Sequence, residues 1–259
     1  MADLKFFIQQ GWNNIWKQKT IWLFSALSVL FNFLGKILPN QISTSFWYFV
    51  ITVLIEFVIF ISVAYDGYCY INGNEATARE TLLAVRKFIS RVLGCSLLIL
   101  IPFVVLLCLV ATIFSRLFIA NFQNSVNLLY FPFYIMLTPL TYFSIAEFFA
   151  KNAGIRQTLK RAWVLIKKHF PILFMLALIR ESLIVAYNMA VATFTVLIQS
   201  GFNSNSLSKV NYLNPYSPLS GNLLYGVISN LALLVIFPVS VSVFMLAYQK
   251  YSQAMSDKS

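Results

Sequence analysis

Three charged side chains lie near the middle of apolar stretches of the sequence. Glu56 occurs in an apolar run at about 45–66, and Arg180 and Glu181 occur together in another at about 171–199. Insertion into hydrocarbon costs a charged residue about 2.5–3.5 kcal/mol, so such residues usually pair with one another or serve a function. The chemistry that they offer is ion pairing, proton binding or recognition of a polar headgroup.

The positions of Glu56 and Arg180 predict equal depths from one membrane surface. Each lies about ten residues from the end of its run, which is about 15 Å at 1.5 Å per helical residue. A structural ion pair that locks two helices is the preferred interpretation, and a polar site for an ion, proton or headgroup is the alternative. Glu181 points about 100° away from Arg180 and is expected to need another partner or a wet cavity. Two turns further along the helix, Tyr187 shares the face of Arg180 and Asn188 shares the face of Glu181. These two residues complete the candidate mid-membrane site.

No pattern of catalytic or metal-binding residues accompanies these charges. The sequence has no HExxH motif, phosphate-binding glycine loop or nucleophile elbow. Its single histidine, His169, follows Lys167 and Lys168 and is expected to be an interfacial polar residue. We therefore expect no enzyme activity, no cofactor and no metal site.

The composition excludes an ordinary soluble protein. Hydrophobic residues make up 59% of the 259 residues and charged residues only 10%, whereas soluble domains carry roughly 25% charged residues. Six apolar runs approach or exceed the roughly 20 residues that cross a bilayer, and they lie at about 21–39, 45–66, 93–115, 128–149, 171–199 and 222–248. The prediction is an all-α polytopic membrane protein with six transmembrane helices in a single membrane domain, 1–259.

The basic residues predict the orientation of these spans. One side of the membrane receives only Lys36, Arg116 and Lys209, Arg180 lies within a span, and the remaining Lys and Arg residues fall on the other side. Because Lys and Arg concentrate in cytoplasmic loops, both termini are expected in the cytoplasm. The net charge of +11 therefore indicates anionic phospholipid headgroups as partners, not nucleic acid.

The cytoplasmic segments resemble one another and predict a threefold internal repeat. Gly73, Thr77 and Lys87 align with Gly154, Thr158 and Lys168 at a constant offset of 81, and Asp66 aligns with Glu147. The N-terminus joins through Trp12, Ile15 and Lys17, which align at an offset of 70 with Leu82, Val85 and Lys87. The predicted units, each an elbow helix followed by a transmembrane hairpin, are about 3–66, 73–150 and 154–250.

Each elbow combines an apolar stripe with basic residues. In the third, Ile155, Leu159, Trp163, Ile166 and Phe170 recur at helical spacing. This pattern favours an amphipathic helix in the membrane interface over a plain basic loop. The expected contacts with anionic lipid are Lys17, Arg79, Arg86, Lys87, Lys160, Arg161, Lys167 and Lys168.

The third elbow also resembles a known family. Gly154 to Phe170 reads G-I-R-Q-T-L-K-R-A-W-V-L-I-K-K-H-F, and Gly73 to Lys87 matches an equivalent earlier element. These segments are similar to a six-helix bacterial membrane family, which includes the membrane domain attached to some glycerophosphodiester phosphodiesterases and related stand-alone proteins of unknown function. The resemblance implies a six-span fold in the bacterial cytoplasmic (inner) membrane and no catalytic residues in this region.

Two functions remain at this point. The leading hypothesis is a membrane scaffold or accessory factor that interacts with lipid, with another membrane protein or with further copies of itself. The alternative is a small transporter or channel-like protein for a polar or lipidic solute. A cavity that reaches Arg180 would favour transport, and a dry bundle with Glu56 paired directly to Arg180 would favour the scaffold.

The predicted orientation can be tested by cysteine labelling in a variant without Cys69, Cys95 and Cys108. An impermeant thiol reagent applied from outside should modify Ser206→Cys and spare Arg79→Cys and Lys160→Cys, because the first lies in the predicted outer loop. The reverse pattern of labelling would show that the orientation is wrong.

Overall fold

The computed structural model describes residues 2–37, 46–117, 122–199 and 233–256, and within these ranges every regular element is a helix. The elements are α1 (Ala2–Lys17), α2 (Lys19–Ile37), α3 (Phe46–Ile71), α4 (Ala78–Leu117), α5 (Phe122–Lys151), α6 (Ile155–Lys168), α7 (Phe170–Gln199) and α8 (Leu233–Ser256). The predicted all-α class is confirmed for this part of the chain.

Five of the described helices are long and apolar enough to cross a membrane. The crossing segments are Val50–Ile71, Ala78–Arg116, Pro132–Lys151, Phe170–Thr195 and Leu234–Ala254, and Lys19–Phe31 is a shorter apolar segment. Large apolar side chains of α4, such as Leu98, Ile101 and Leu109, are exposed on the outside of the bundle. Such a surface is compatible with lipid and not with water, as in a multi-pass membrane protein.

The predicted second elbow, at about 73–91, is not a separate helix. It forms the start of α4, which runs unbroken for 40 residues through Pro102. Thr77 and Glu80 cap its start: the Thr77 backbone N–H donates to Glu80 Oε2 (2.8 Å), and the Glu80 N–H donates to Thr77 Oγ1 (3.3 Å). This reciprocal box satisfies two unpaired amides at the helix start. The sequence between elbow and span changes in polarity but has no residue that ends a helix.

The first and third elbows are separate helices. Gln18 divides α1 from α2, and His169 divides α6 from α7. Pro171 lies in the first turn of α7, where its missing N–H costs nothing. The apolar stripe predicted for α6 is partly exposed in the structure, where Trp163 is 48% exposed and Ile166 is 4% exposed. The buried face of α6 is formed by Thr158, Ala162, Leu165 and Ile166, which lie one step around the helix from the Trp.

The two ends of the chain meet through α1 and α8. A Cβ atom at Gly11 would lie 2.5 Å from Val243 Cγ2, so the close approach of these helices requires glycine. Phe7 packs edge-to-face on Tyr251, with ring centroids 5.7 Å apart. Lys250 Nζ lies 2.7 Å from Asp3 Oδ1. These contacts attach the first elbow to the end of α8.

Aromatic rings join α3, α5 and α8 at the centre of the bundle. Tyr142 stacks on Phe244 with ring centroids 4.8 Å apart, and Phe60 packs against its edge at 5.6 Å. Phe60 also contacts Phe237 at 5.8 Å. Offset and edge-to-face ring pairs stabilise by about 0.5–1.5 kcal/mol beyond the burial of their area. This cluster forms one wall of the cavity described next.

Candidate functional site

A cavity of about 540 Å³ lies between the long helices. Its polar lining comes from α2, α3, α4, α5 and α7, and consists of Ser28, Thr52, Glu56, Ser96, Tyr134, Thr138, Thr141, Tyr142 and Arg180. The rest of the wall is apolar and includes Phe57, Phe60 and Phe237. Glu56 and Arg180, which are far apart in the sequence, therefore contribute to one cavity, as their predicted depths require.

Glu56 lies near the middle of α3 and faces α2. The Ser28 hydroxyl lies 3.2 Å from both carboxylate oxygens of Glu56 and donates to them. Ser28 is itself buried. This contact orients the carboxylate of Glu56 towards α2.

Arg180 forms its ion pair with its neighbour Glu181, between Nη1 and Oε1. The expectation that Glu181 would need a different partner is wrong. Adjacent Cα–Cβ directions on a helix differ by about 100°, but a guanidinium on a long side chain can fold back across that angle. The side chains of Arg180 and Glu181 are only 14% and 6% exposed. The pair is therefore removed from water, and each charge depends on the other.

Polar residues on one face of α5 contact this pair. The sequence analysis did not identify them. Thr138 Oγ1 lies 3.4 Å from Glu181 Oε1, and the Arg180 Cζ atom lies 5.8 Å from the ring centre of Tyr134. The Tyr142 hydroxyl is within hydrogen-bonding reach of Arg180. Tyr134, Thr138, Thr141 and Tyr142 recur at spacings of four, three and one, so they share one helical face. That spacing is the sequence signal which could have found them.

The other two residues of the predicted site do not contribute to the cavity wall. Asn188 is buried and Tyr187 is half-buried, but the described lining of the cavity includes neither. They lie two turns along α7 from Arg180 and Glu181, which is about 10 Å at 1.5 Å per residue. Sharing a helix face with a site residue does not place a side chain at the same depth.

Most of the basic residues predicted to contact lipid are exposed. These are Lys17, Arg79, Arg86, Lys87, Lys160, Lys167 and Lys168. Lys167 Nζ lies 5.5 Å from the ring centre of the exposed Trp163. Arg161 differs, because its Nη1 lies 3.9 Å from Oε2 of the buried Glu147. Its charge is therefore directed partly into the protein.

Two buried carboxylates attach long helices to the helical elements that follow them. Asp66 of α3 is 2% exposed and accepts a hydrogen bond from Thr81 Oγ1 of α4. Glu147 of α5 is 4% exposed and contacts Arg161 of α6. These contacts give both carboxylates a structural role. Neither residue lines the cavity.

His169 also has a structural environment. Its ring stacks on Tyr251 with centroids 3.7 Å apart and an interplanar angle of 7°. Burial, and after it the positive charge of Lys168, lowers the pKa of His169 from its ordinary value. The imidazole is therefore neutral at pH 7. Within the described ranges, no three His, Cys, Asp or Glu side chains come together as a metal site would require.

The Arg180–Glu181 pair predicts that losses of unfolding free energy at these two positions are not additive in a double-mutant cycle. Arg180→Met and Glu181→Gln each leave one buried group unpaired, which costs about 3–5 kcal/mol of unfolding free energy. The double variant Arg180→Met/Glu181→Gln should recover much of that loss, because no charge remains to be solvated. Thermal unfolding in detergent measures all three.

Glu147→Gln is the matched control for this cycle, because Glu147 contacts Arg161 instead of Arg180. The loss of unfolding free energy caused by Glu147→Gln should add to the loss caused by Glu181→Gln. Additive losses between Arg180→Met and the change at Glu181 would contradict the pair.

The chain was also compared with known proteins. No protein-family model, no curated protein and no solved structure matches it. The functional assignment therefore depends on the chemistry of the cavity and of the basic helices.

Proposed function

We propose that this protein is a small transporter or channel-like protein that binds a polar or lipidic solute in the cavity lined by Glu56 and Arg180. The observation that carries the proposal is the cavity itself. It brings a carboxylate, a guanidinium and several hydroxyl groups together between long apolar helices. Polar side chains at such positions are energetically unfavourable in a membrane and usually mark a solute or ion pathway.

The cavity supports transport more than it supports a scaffold. A scaffold needs only to hold its helices together, and a dry bundle with apolar contacts does this at lower cost. Here hydroxyl groups from four helices face the cavity, and Glu56 and Arg180 line its wall. This is the arrangement expected when part of the bundle binds a polar group.

The proposal places six spans in the bacterial cytoplasmic membrane, with both termini in the cytoplasm. α2, with 19 residues, is the first span, since about 28 Å of helix approaches the roughly 30 Å of the hydrocarbon core. The exposed basic residues at the starts of α4 and α6 support the orientation. The resemblance of Gly154–Phe170 to the six-helix bacterial family supports the same layout.

The repeat of three elbow-and-hairpin units is part of the proposal. Positions that align in the sequence have similar burial in the three elbows. The exposed set is Trp12, Leu82 and Trp163, and the buried set is Ile15, Val85 and Ile166. Internal repeats are frequent in transporters, whose binding sites lie near the middle of the membrane.

Water access to the cavity tests the proposal. In a variant without the native cysteines, Ser96→Cys lines the cavity and Ser144→Cys lies in the packed interior, where Ser144 is 1% exposed. A small charged methanethiosulfonate should modify Ser96→Cys at least about tenfold faster, because only a hydrated cavity admits the reagent. Equally slow modification of both would contradict a solute pathway.

A second candidate function is supported by a separate observation. Trp163 and Val164 of α6 are exposed beside Lys160 and Lys167, which is the pattern of a helix at an anionic membrane surface. An accessory or scaffold protein would use this surface to organise lipid or a membrane-protein partner.

Binding of anionic lipid tests this surface. Each basic residue near an anionic surface contributes about 1 kcal/mol. The full-length triple variant Lys160→Gln/Lys167→Gln/Lys168→Gln should therefore bind phosphatidylglycerol much more weakly in a native mass-spectrometry titration. Arg116→Gln, at the opposite end of α4, is the control. If the triple variant and Arg116→Gln bind phosphatidylglycerol equally well, α6 has no electrostatic role in lipid binding.

A further inference from the structure

We infer that the cavity binds an uncharged amphiphile, in which an apolar body carries a hydrogen-bond-accepting oxygen such as a phosphoryl or carbonyl group. This inference rests on the proposed function and assigns a ligand class to the same site. Three features of the cavity support it: the compensated charge of Arg180, the N–H groups that this side chain keeps beyond its ion pair, and the apolar wall.

Arg180 brings no uncompensated charge into the cavity, because its guanidinium pairs with the carboxylate of Glu181. An anion beside this pair would meet that carboxylate as well as the guanidinium, in an interior where the desolvation of charge is costly. Glu56 makes a further interaction besides that with Ser28, so neither of these two carboxylates is left unengaged for a cation. An uncharged ligand avoids both difficulties.

The guanidinium of Arg180 keeps hydrogen-bond donors beyond the ion pair. It carries several N–H groups in a fixed fork, and the contact with Glu181 is made through Nη1. On the neighbouring face of α5, the hydroxyl groups of Thr138 and Thr141 donate to carbonyl oxygens one turn earlier in their own helix, at 3.0 Å and 3.1 Å. The remaining N–H groups of Arg180 are therefore the strongest donors on this side of the cavity, and an oxygen atom of a ligand can accept from them.

Much of the rest of the wall is apolar and suits an apolar body. It includes Val53, Phe57, Ile99, Leu100 and Phe237. Leu100 is also 50% exposed, so this wall adjoins the exposed apolar face of α4. The volume of about 540 Å³ lies within the range of small-molecule sites, about 300–1,000 Å³. An amphiphile can therefore place its body against this wall and its oxygen beside Arg180.

Four probes with similar apolar bodies test the ligand class. Triphenylphosphine oxide is uncharged and carries a phosphoryl oxygen, triphenylmethane is uncharged and has no acceptor, and tetraphenylborate and tetraphenylphosphonium carry opposite charges. Equilibrium binding to the full-length protein is measured in detergent, with empty micelles subtracted. The phosphine oxide should bind saturably and at least about tenfold more tightly than triphenylmethane, because a hydrogen bond from a charged donor contributes about that factor. It should also bind more tightly than either ion.

The double variant Arg180→Met/Glu181→Gln removes the donors and leaves no buried charge. Its affinity for the phosphine oxide should fall about tenfold, to the level of triphenylmethane, and its affinity for triphenylmethane should not change. The matched control is Asp3→Asn/Lys250→Met, which removes an ion pair outside the cavity and should leave both affinities unchanged.

If Arg180→Met/Glu181→Gln does not fold, a variant of the wall provides a second test. Ser96→Phe fills part of the cavity and should weaken binding of the phosphine oxide. Thr112→Phe, at an exposed position further along α4, should not. Unchanged affinity for the phosphine oxide in Ser96→Phe would show that the probe binds elsewhere, and would overturn the inference.

Other outcomes separate the ligand class from the proposed function. Equal affinities for the phosphine oxide and triphenylmethane would overturn the recognition of an oxygen. Tighter binding of either ion would overturn the uncharged class and retain a solute-binding cavity. If no probe binds, the ligand class is wrong. Faster modification of Ser96→Cys than of Ser144→Cys would then retain the proposed function, and equally slow modification would overturn that function as well.

Discussion

Neutralisation of Arg180 by Glu181 is the interaction on which the interior of this bundle depends. Both side chains are largely removed from water, and an unpaired charge in such a place would oppose folding by several kcal/mol. The pair in turn requires polar neighbours, which α5 supplies through Thr138 and Tyr142. The polar face of α5 and its position against α7 are therefore consequences of one ion pair. Once α5 is placed in this way, its hydroxyl groups also line a cavity.

The cavity and the elbow segments form one system of contacts. Asp66 and Glu147 connect the long helices α3 and α5, which both line the cavity, to the elements that follow them in the chain. The first elbow is attached differently, through the contact of α1 with the end of α8. Each elbow segment is therefore fixed to a helix of the bundle. The two proposed roles, lipid contact by the elbows and solute binding in the cavity, are compatible because they involve different parts of the molecule.

The sequence predicted the helical class and most of the long helices, because apolar runs are local signals. It predicted equal depths for Glu56 and Arg180, with a direct ion pair preferred and a polar site as the alternative, and both residues line one cavity in the structure. It did not predict the Arg180–Glu181 pair, since side-chain reach is not visible in helical angles. The polar face of α5 was missed because Thr and Tyr are common in spans, so that only their spacing distinguishes them. The continuity of α4 was missed because a change in polarity resembles a boundary although the backbone does not break.

The unbroken length of α4 has a mechanical consequence. A helix of 40 residues is a rod of about 60 Å, and its amphipathic first turns and the cavity-lining Ser96 and Ile99 belong to the same rod. Because Ser96 and Ile99 precede Pro102, a tilt of the first turns of α4 is transmitted to their level. A change in the tilt of this basic end would therefore move one wall of the cavity. In the proposed transporter, the lipid composition at the membrane surface would then act on the volume available to a solute.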